Sequence, residues 1–250
     1  MLRILRPIPV ERIRLLIFDL DGTLVDSRLD LVNSVNGMLR HLKRPELPGD
    51  VIASYVGDGA PTLVRRALGD PRDTKYVDEA LNFFLAYYRE HKLDHTTLYP
   101  GIALALAALQ QANHGTGARE RYLAVLSNKP VVPSRQIVQA LGLGSFFRQI
   151  YGGNSFPTKK PDPLGAETIL RENGVSAEES LMIGDSDVDV LTGHNAGMWT
   201  CGVTYGFAPH TLEAAQPDIL LDSPRELPLI FSGNGLAAGR DPDEMRDVLA

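Results

Sequence analysis

The chain has 250 residues and a formal net charge of −6, from 25 basic and 31 acidic side chains. That balance argues against a nucleic-acid binder, which needs a basic surface. Hydrophobic residues at 44% beside 22% charged ones argue against a disordered chain, and the length suits one large domain or a domain carrying an insertion.

Met1–Arg14 carries arginines at 3, 6, 12 and 14, with Pro7 and Pro9 and no long apolar stretch. It reads as a loose leader into the first strand, not as a secretory signal. Ile13–Phe18 is that strand, a short branched run ending at Asp19. Similar runs recur at Tyr122–Leu126, Leu181–Ile183, Trp199–Val203 and Ile219–Leu221. Helical patterns lie between them at Ile102–Ala112, Ser134–Leu141, Asp162–Asn173 and Asp187–Ala196, the last three followed by glycine. Strands buried on both faces and alternating with helices imply an α/β core built on a parallel sheet.

One stretch breaks this alternation. From Ser27 to about His95 no strand is expected. Val32, Val35, Leu39 and Leu42 share one helix face, as do Leu63, Val64, Ala67 and Leu68, and again Val77, Leu81, Phe84 and Tyr88. The organisation expected is a catalytic α/β core of residues 1–26 and 98–250, with an all-helical insertion over 27–97. Asn113–Arg121 reads as a polar surface loop and Ser232–Gly239 as a glycine-rich lead into the tail.

The longest apolar run, Ile102–Leu109, falls well short of the roughly 20 residues a membrane span needs. Cys201 has no partner for an internal disulfide. A reducing, cytoplasmic setting without membrane attachment is therefore expected.

Four polar clusters each follow a predicted strand, at the sheet end where open parallel sheets bind ligands. In Asp19-Leu20-Asp21-Gly22-Thr23, two carboxylates can leave the strand together, one as nucleophile and one as general acid/base, or they can cap a helix. Ser127-Asn128-Lys129 offers donors to an oxyanion, or a plain helix cap. Lys159-Lys160-Pro161 places an ammonium that can hold a phosphate, with Lys159 read as solvated. Asp185, Asp187 and Asp189, added to Asp19 and Asp21, would bring five carboxylates together. Two such charges ~4 Å apart repel by about 4 kcal/mol at an effective dielectric near 20. A divalent cation such as Mg²⁺ relieves that repulsion and can bridge to a phosphate.

These four clusters, in this order, resemble the motifs of the haloacid dehalogenase superfamily over about Leu15–Leu221. The resemblance implies a Rossmann-like α/β core with an inserted helical cap. It implies Asp19 as the nucleophile that forms an aspartyl-phosphate, and Asp21 as the acid and then the base. Ser127 and Lys160 would hold the phosphoryl group, with Asn128 and Thr23 beside them. Mg²⁺ would sit on Asp19, Asp185 and the Asp21 main-chain carbonyl, supported by Asp189.

Asp21 argues against a dehalogenase. Tyr55-Val56-Gly57-Asp58-Gly59-Ala60, Ser127-Asn128-Lys129-Pro130, Lys160-Pro161-Asp162-Pro163 and Thr204-Tyr205-Gly206-Phe207 are similar to phosphoglycolate phosphatases. This implies a small phosphorylated substrate, 2-phosphoglycolate first, and a monomer or homodimer. The alternatives are another small-molecule phosphatase or pyrophosphatase with the same core, or a protein that binds a phospho-ligand without catalysis. Gly59 can let backbone approach the substrate, and Arg65 or Arg66 can face its carboxylate or lie on a solvated helix face. His194, Cys201, Phe83-Phe84 and Tyr87-Tyr88 read as packing residues, and Lys43, Lys75 and Lys92 as exposed lysines.

Overall fold

The computed structural model describes residues 1–111 and 120–232. The chain opens with β1 (Arg3–Ile4), followed by β2 (Leu15–Phe18) and β3 (Val25–Asp26). Then come α1 (Arg28–His41), α2 (Gly49–Ala53), α3 (Ala60–Ala67) and α4 (Thr74–His91). After β4 (Thr97–Leu98) the chain alternates through α5 (Ile102–Gln111), β5 (Tyr122–Leu126), α6 (Val131–Ala140), β6 (Gln149–Tyr151) and α7 (Leu164–Asn173). It closes with β7 (Ser180–Gly184), α8 (Asp187–Asn195), β8 (Trp199–Val203), α9 (Leu212–Ala215) and β9 (Ile219–Leu221).

The large sheet has seven strands in the order β1-β9-β8-β7-β2-β5-β6. All pair in parallel except β1, which runs antiparallel to β9. β2 lies in the middle, with Phe18 level with Val125 on one side and Ile183 on the other. Its four residues are all buried because both sheet faces are covered. Leu16 and Phe18 pack with α5 and α6 residues such as Leu106 and Ile137. Leu15 and Ile17 pack on the other face with Ile169 and Leu170 of α7. Fully burying one such side chain contributes about 1.5–3 kcal/mol, so the strand that carries the first acidic pair is among the best anchored.

The strands expected at 122–126, 199–203 and 219–221 appear with those bounds, and those at 13–18 and 181–183 shift by a residue or two. The leader is a correction. Residues 3–4 form an edge strand on β9, held also by the Arg3–Asp222 ion pair at 2.9 Å. β6 was not expected either; it is a short edge strand with no fully buried residue, so its sequence lacks a continuous apolar run. Helix α6 starts three residues early, at Val131, because Pro133 fits the first turn, where its missing N–H costs nothing. Ala112, most of the Asn113–Arg121 loop and the tail beyond Ser232 lie outside the described residues.

Between β3 and β4 the chain is helical, as its periodicity indicates. Val35, Met38, Phe84 and Tyr88 belong to a hydrophobic cluster separate from that of the sheet. The two crossings between these bodies pair as a small antiparallel ribbon, Val25 with Leu98 and Asp26 with Thr97. Beside it, buried Asp30 of α1 accepts hydrogen bonds from His95 N, Thr96 N and Thr96 Oγ1 at 2.7–3.1 Å. The outgoing helix is thus fastened to the returning chain.

Candidate active site

Because β2, β5 and β7 are parallel and in register, their carboxyl ends deliver Asp19, Ser127 and Asp185 to one edge of the sheet. Asp19 N continues the ladder by donating to Ile183 O at 2.9 Å. Lys160 enters from the segment between β6 and α7, and Asp189 from the first turn of α8. A cavity of about 540 Å³ opens over these groups, lined also by Asp21, Asn128 and Lys129 of the core and by Gly57, Gly59 and Tyr88 of the helical insertion.

The charges form two sets. Lys160 Nζ stands 2.8 Å from Asp19 Oδ1 and 2.6 Å from Asp189 Oδ1. Asp189 Oδ2 accepts from Ser186 N and Oγ at 3.2 and 2.8 Å, so both of its oxygens are engaged. Lys129 Nζ holds both oxygens of Asp21, at 3.0 and 2.8 Å, and Ser27 Oγ donates to Asp21 Oδ1 at 2.5 Å. Asp185 Oδ2 accepts from Phe207 N at 2.6 Å and Ala208 N at 3.3 Å.

Oxygens of Asp19, Asp185 and Asp189 lie within 4.8 Å of one another. Those carboxylates face one ammonium, Lys160, which leaves two negative charges unmatched. Burial first, then neighbouring Asp189 and Asp19, push Asp185 up to about 8. Burial likewise raises Asp19 to about 6 against the opposing pull of Lys160, with Asp189 and Asp21 adding to the rise. For Lys160 the largest influence is burial, which favours the neutral amine, but Asp189 and Asp19 outweigh it and keep the ammonium charged. A cluster made only of hard oxygen donors with an excess of two negative charges fits a divalent cation such as Mg²⁺. Asp19 and Asp185 are the carboxylates with capacity to ligate it. The Asp21 carboxylate is taken by Lys129 and Ser27, so from that residue only the main-chain carbonyl suits a ligand role.

Glycines make room for this packing. A Cβ on Gly206 would fall 2.2 Å from Asp185 Cβ and 2.4 Å from Gly22 O, and one on Gly184 would fall 2.1 Å from Asp189 Cγ. Gly22, at φ +85, would put a Cβ 2.2 Å from Asp185 Oδ2. The aspartates can therefore crowd together only over backbone that lacks side chains.

Ser127 and Asn128 are buried and line the cavity. Asn128 Nδ2 donates to Lys160 O at 3.0 Å and to Gly57 O of the insertion at 2.9 Å, and its Oδ1 is buried without a partner. Gly59 lines the cavity at φ +88, a conformation that glycine tolerates.

Four expectations are corrected. Asp187 does not join the acidic cluster. Two helical residues are turned about 200° from each other, so Asp189 faces the site while Asp187, whose N donates to Thr211 Oγ1 at 2.9 Å, does not. Neither Arg65 nor Arg66 lines the cavity, because α3 turns Ala60 and Leu63 inward. Arg65 Nη1 donates to Pro71 O at 3.2 Å, and Arg66 pairs with Asp58 at 2.7 Å. Lys92 is buried rather than exposed, its Nζ donating to Arg89 O at 2.6 Å. Thr23 is buried below the site and does not line the cavity, and its carbonyl accepts from Tyr205 OH at 3.1 Å. His194 and Cys201 lie outside the cavity.

The sequence gives Tyr88 as a packing residue, which it is, but points to no place at the site for Tyr88, Lys129, Arg89 or the Phe207 and Ala208 amides. Lys129 directly follows Ser127 and Asn128 after β5, and that position at the carboxyl end of a buried strand was the available signal. Main-chain donors have no signature in side-chain types.

The sequence pattern of the haloacid dehalogenase-like hydrolases matches residues 16–203. A phosphoglycolate phosphatase of Pseudomonas syringae is 38% identical over 86% of this chain and 78% of its own length. One of Chromobacterium violaceum is 37% identical over 87% of this chain and 96% of its own. The crystal structure of a predicted phosphoglycolate phosphatase from Haemophilus somnus superposes with a TM-score of 0.81 at 29% identity, covering 88% of this chain and 99% of that one. The parallel sheet, the acidic cluster at its carboxyl edge and these matches together place the chain in the haloacid dehalogenase-like hydrolase family.

Proposed function

We propose that this phosphoric monoester hydrolase acts on a small phosphate ester, 2-phosphoglycolate first, through an aspartyl-phosphate on Asp19, with Mg²⁺ as cofactor. The observation that carries this reading is the separation of two neighbouring carboxylates into different surroundings. Asp19 stands in the acidic cluster beside Lys160, while Asp21 is held apart by Lys129 and Ser27. Such a division suits a nucleophile paired with an acid/base.

In this reading Asp19 attacks phosphorus as the bond to the ester oxygen breaks, and Asp21 gives that oxygen its proton. Asp21 then takes a proton from the water that splits the acyl phosphate. Ser127, Asn128 and Lys160 hold the phosphoryl oxygens. Asp19, Asp185 and the Asp21 carbonyl would hold Mg²⁺, with Asp189 steadying Lys160, and the ion's charge would offset that of the phosphoryl group.

Residues 27–97 would be the cap that closes on the core of 1–26 and 98–250 and excludes water, with Gly59 bringing backbone to the substrate. The names of the relatives support 2-phosphoglycolate as the ester. No helix of the described residues is long and apolar enough to cross a membrane, which with buried, unpaired Cys201 supports a cytoplasmic setting. A monomer or homodimer is the assembly proposed.

Steady-state rates on a panel of phosphate monoesters and pyrophosphate test the reading, run with Mg²⁺ and with a chelator. The expected outcome is highest kcat/KM on 2-phosphoglycolate, loss with chelator, and recovery with Mg²⁺. Asp19→Asn should abolish turnover, and a variant as active as the parent would overturn the mechanism.

A further inference from the structure

A carboxylate beside the ester, as in 2-phosphoglycolate, needs a donor, since burying an unpaired charge is costly. Arg65 and Arg66 are engaged elsewhere on α3. Among the described residues the cavity is lined by three cationic side chains, Lys129, Lys160 and Arg89. Lys129 and Lys160 are buried and each is matched to carboxylates at 3.0 Å or less. Arg89 is exposed at the rim, and its guanidinium makes no ion pair or hydrogen bond within the described chain.

Helix α4 sends Phe84, Leu85, Tyr88 and Arg89 to this cavity. Positions 84 and 88, and 85 and 89, are neighbours on one helix face, so Arg89 ends a stripe that is otherwise aromatic and aliphatic. Elsewhere the insertion contributes the side chains of Leu31, Val56, Ala60 and Leu63 and the backbone of Gly57 and Gly59 to the lining. Apart from Arg89 these side chains offer no positive charge to a carboxylate, whereas a guanidinium can take both of its oxygens.

We infer that Arg89 reads a carboxylate on the leaving-group side of the substrate. The inference rests on the phosphatase reading above and narrows it to esters with a carboxylate a few atoms from the ester oxygen. The two buried lysines would serve the reacting end, and the unpaired arginine the other.

The test compares kcat/KM for 2-phosphoglycolate and for 2-hydroxyethyl phosphate, whose hydroxymethyl group replaces the carboxylate. The full chain would be assayed with Mg²⁺ as parent, Arg89→Met and Arg89→Lys, with melting temperatures checking the fold. The parent should prefer 2-phosphoglycolate. In Arg89→Met that preference should fall by about tenfold to a hundredfold, mainly through KM, as loss of a charged hydrogen bond predicts. Arg89→Lys should restore part of it. Equal losses on both esters, no loss on either, or a parent without preference would overturn the inference and leave the phosphatase reading standing. A parent inactive on every ester would overturn both.

Discussion

The Lys129 ammonium lies 2.8 Å from one oxygen of Asp21 and 3.0 Å from the other, so a single core lysine fixes the whole carboxylate of the candidate acid/base. The same ammonium sits 4.6 Å from the centre of the Tyr88 ring. Tyr88 belongs to α4 in the helical insertion, so the cation that orients Asp21 also touches the other body. Burial is the largest influence on Lys129 and favours the neutral amine, but Asp21 and Tyr88 overcome it and the group stays charged.

Lys129 should therefore act as a positioning residue, and Lys129→Met gives the first expectation. Breaking a buried pair by removing one partner costs about 3–5 kcal/mol, so the melting temperature should fall. If the lysine works through Asp21, kcat should fall by about 10²–10⁴-fold on alkyl phosphates, whose leaving oxygen needs a proton. Single-turnover formation of the phosphoenzyme from p-nitrophenyl phosphate should be much less affected, because p-nitrophenolate leaves without protonation. Equal losses on the two esters would show that the lysine acts on the fold alone.

The central features were legible in the sequence because their causes are local. Leu15–Phe18 is continuously apolar because β2 is covered on both faces, and the carboxylates that follow it stand out against that run. The repeats of Val35 with Leu39 and of Phe84 with Tyr88 report the insertion's own core. What stayed hidden depends on partners far along the chain. β1 exists because β9 lies beside it, more than 200 residues away. Asp187 and Asp189 look alike in sequence, and only the helix start at Asp187 turns one inward and the other out. Arg65, Arg66 and Arg89 differ only in what the folded helices present to them.

The glycine cradle gives a second expectation. Gly206→Ala places a Cβ 2.2 Å from Asp185 Cβ and 2.4 Å from Gly22 O, contacts that neither neighbour can yield without moving backbone or the Asp185 carboxylate. Overpacking of this kind costs about 1–3 kcal/mol. Isothermal titration with Mg²⁺ should show weakened affinity beyond any loss of stability, because Asp185 loses its hydrogen bonds to Phe207 N and Ala208 N. Unchanged Mg²⁺ affinity would mean that Asp185 does not hold the ion.

The raised carboxylates set the sign of a third expectation. Burial, Asp189 and Asp19 raise Asp185 to about 8, and burial, Asp189 and Asp21 raise Asp19 to about 6, from 3.8 for the free side chain. Between pH ~4 and ~8 the metal-free native state then binds more protons than the unfolded chain, so its stability falls as pH rises across that window. Melting temperatures measured in chelator should be higher at pH 6 than at pH 8. A cation that binds the ionised site should reverse this trend, so the increase on adding Mg²⁺ should be larger at pH 8 than at pH 6. Asp185→Asn removes the most strongly raised group and should flatten the metal-free profile. A metal-free profile that rises from pH 6 to pH 8, or is unaltered by Asp185→Asn, would mean that the acidic cluster is not held under this charge strain.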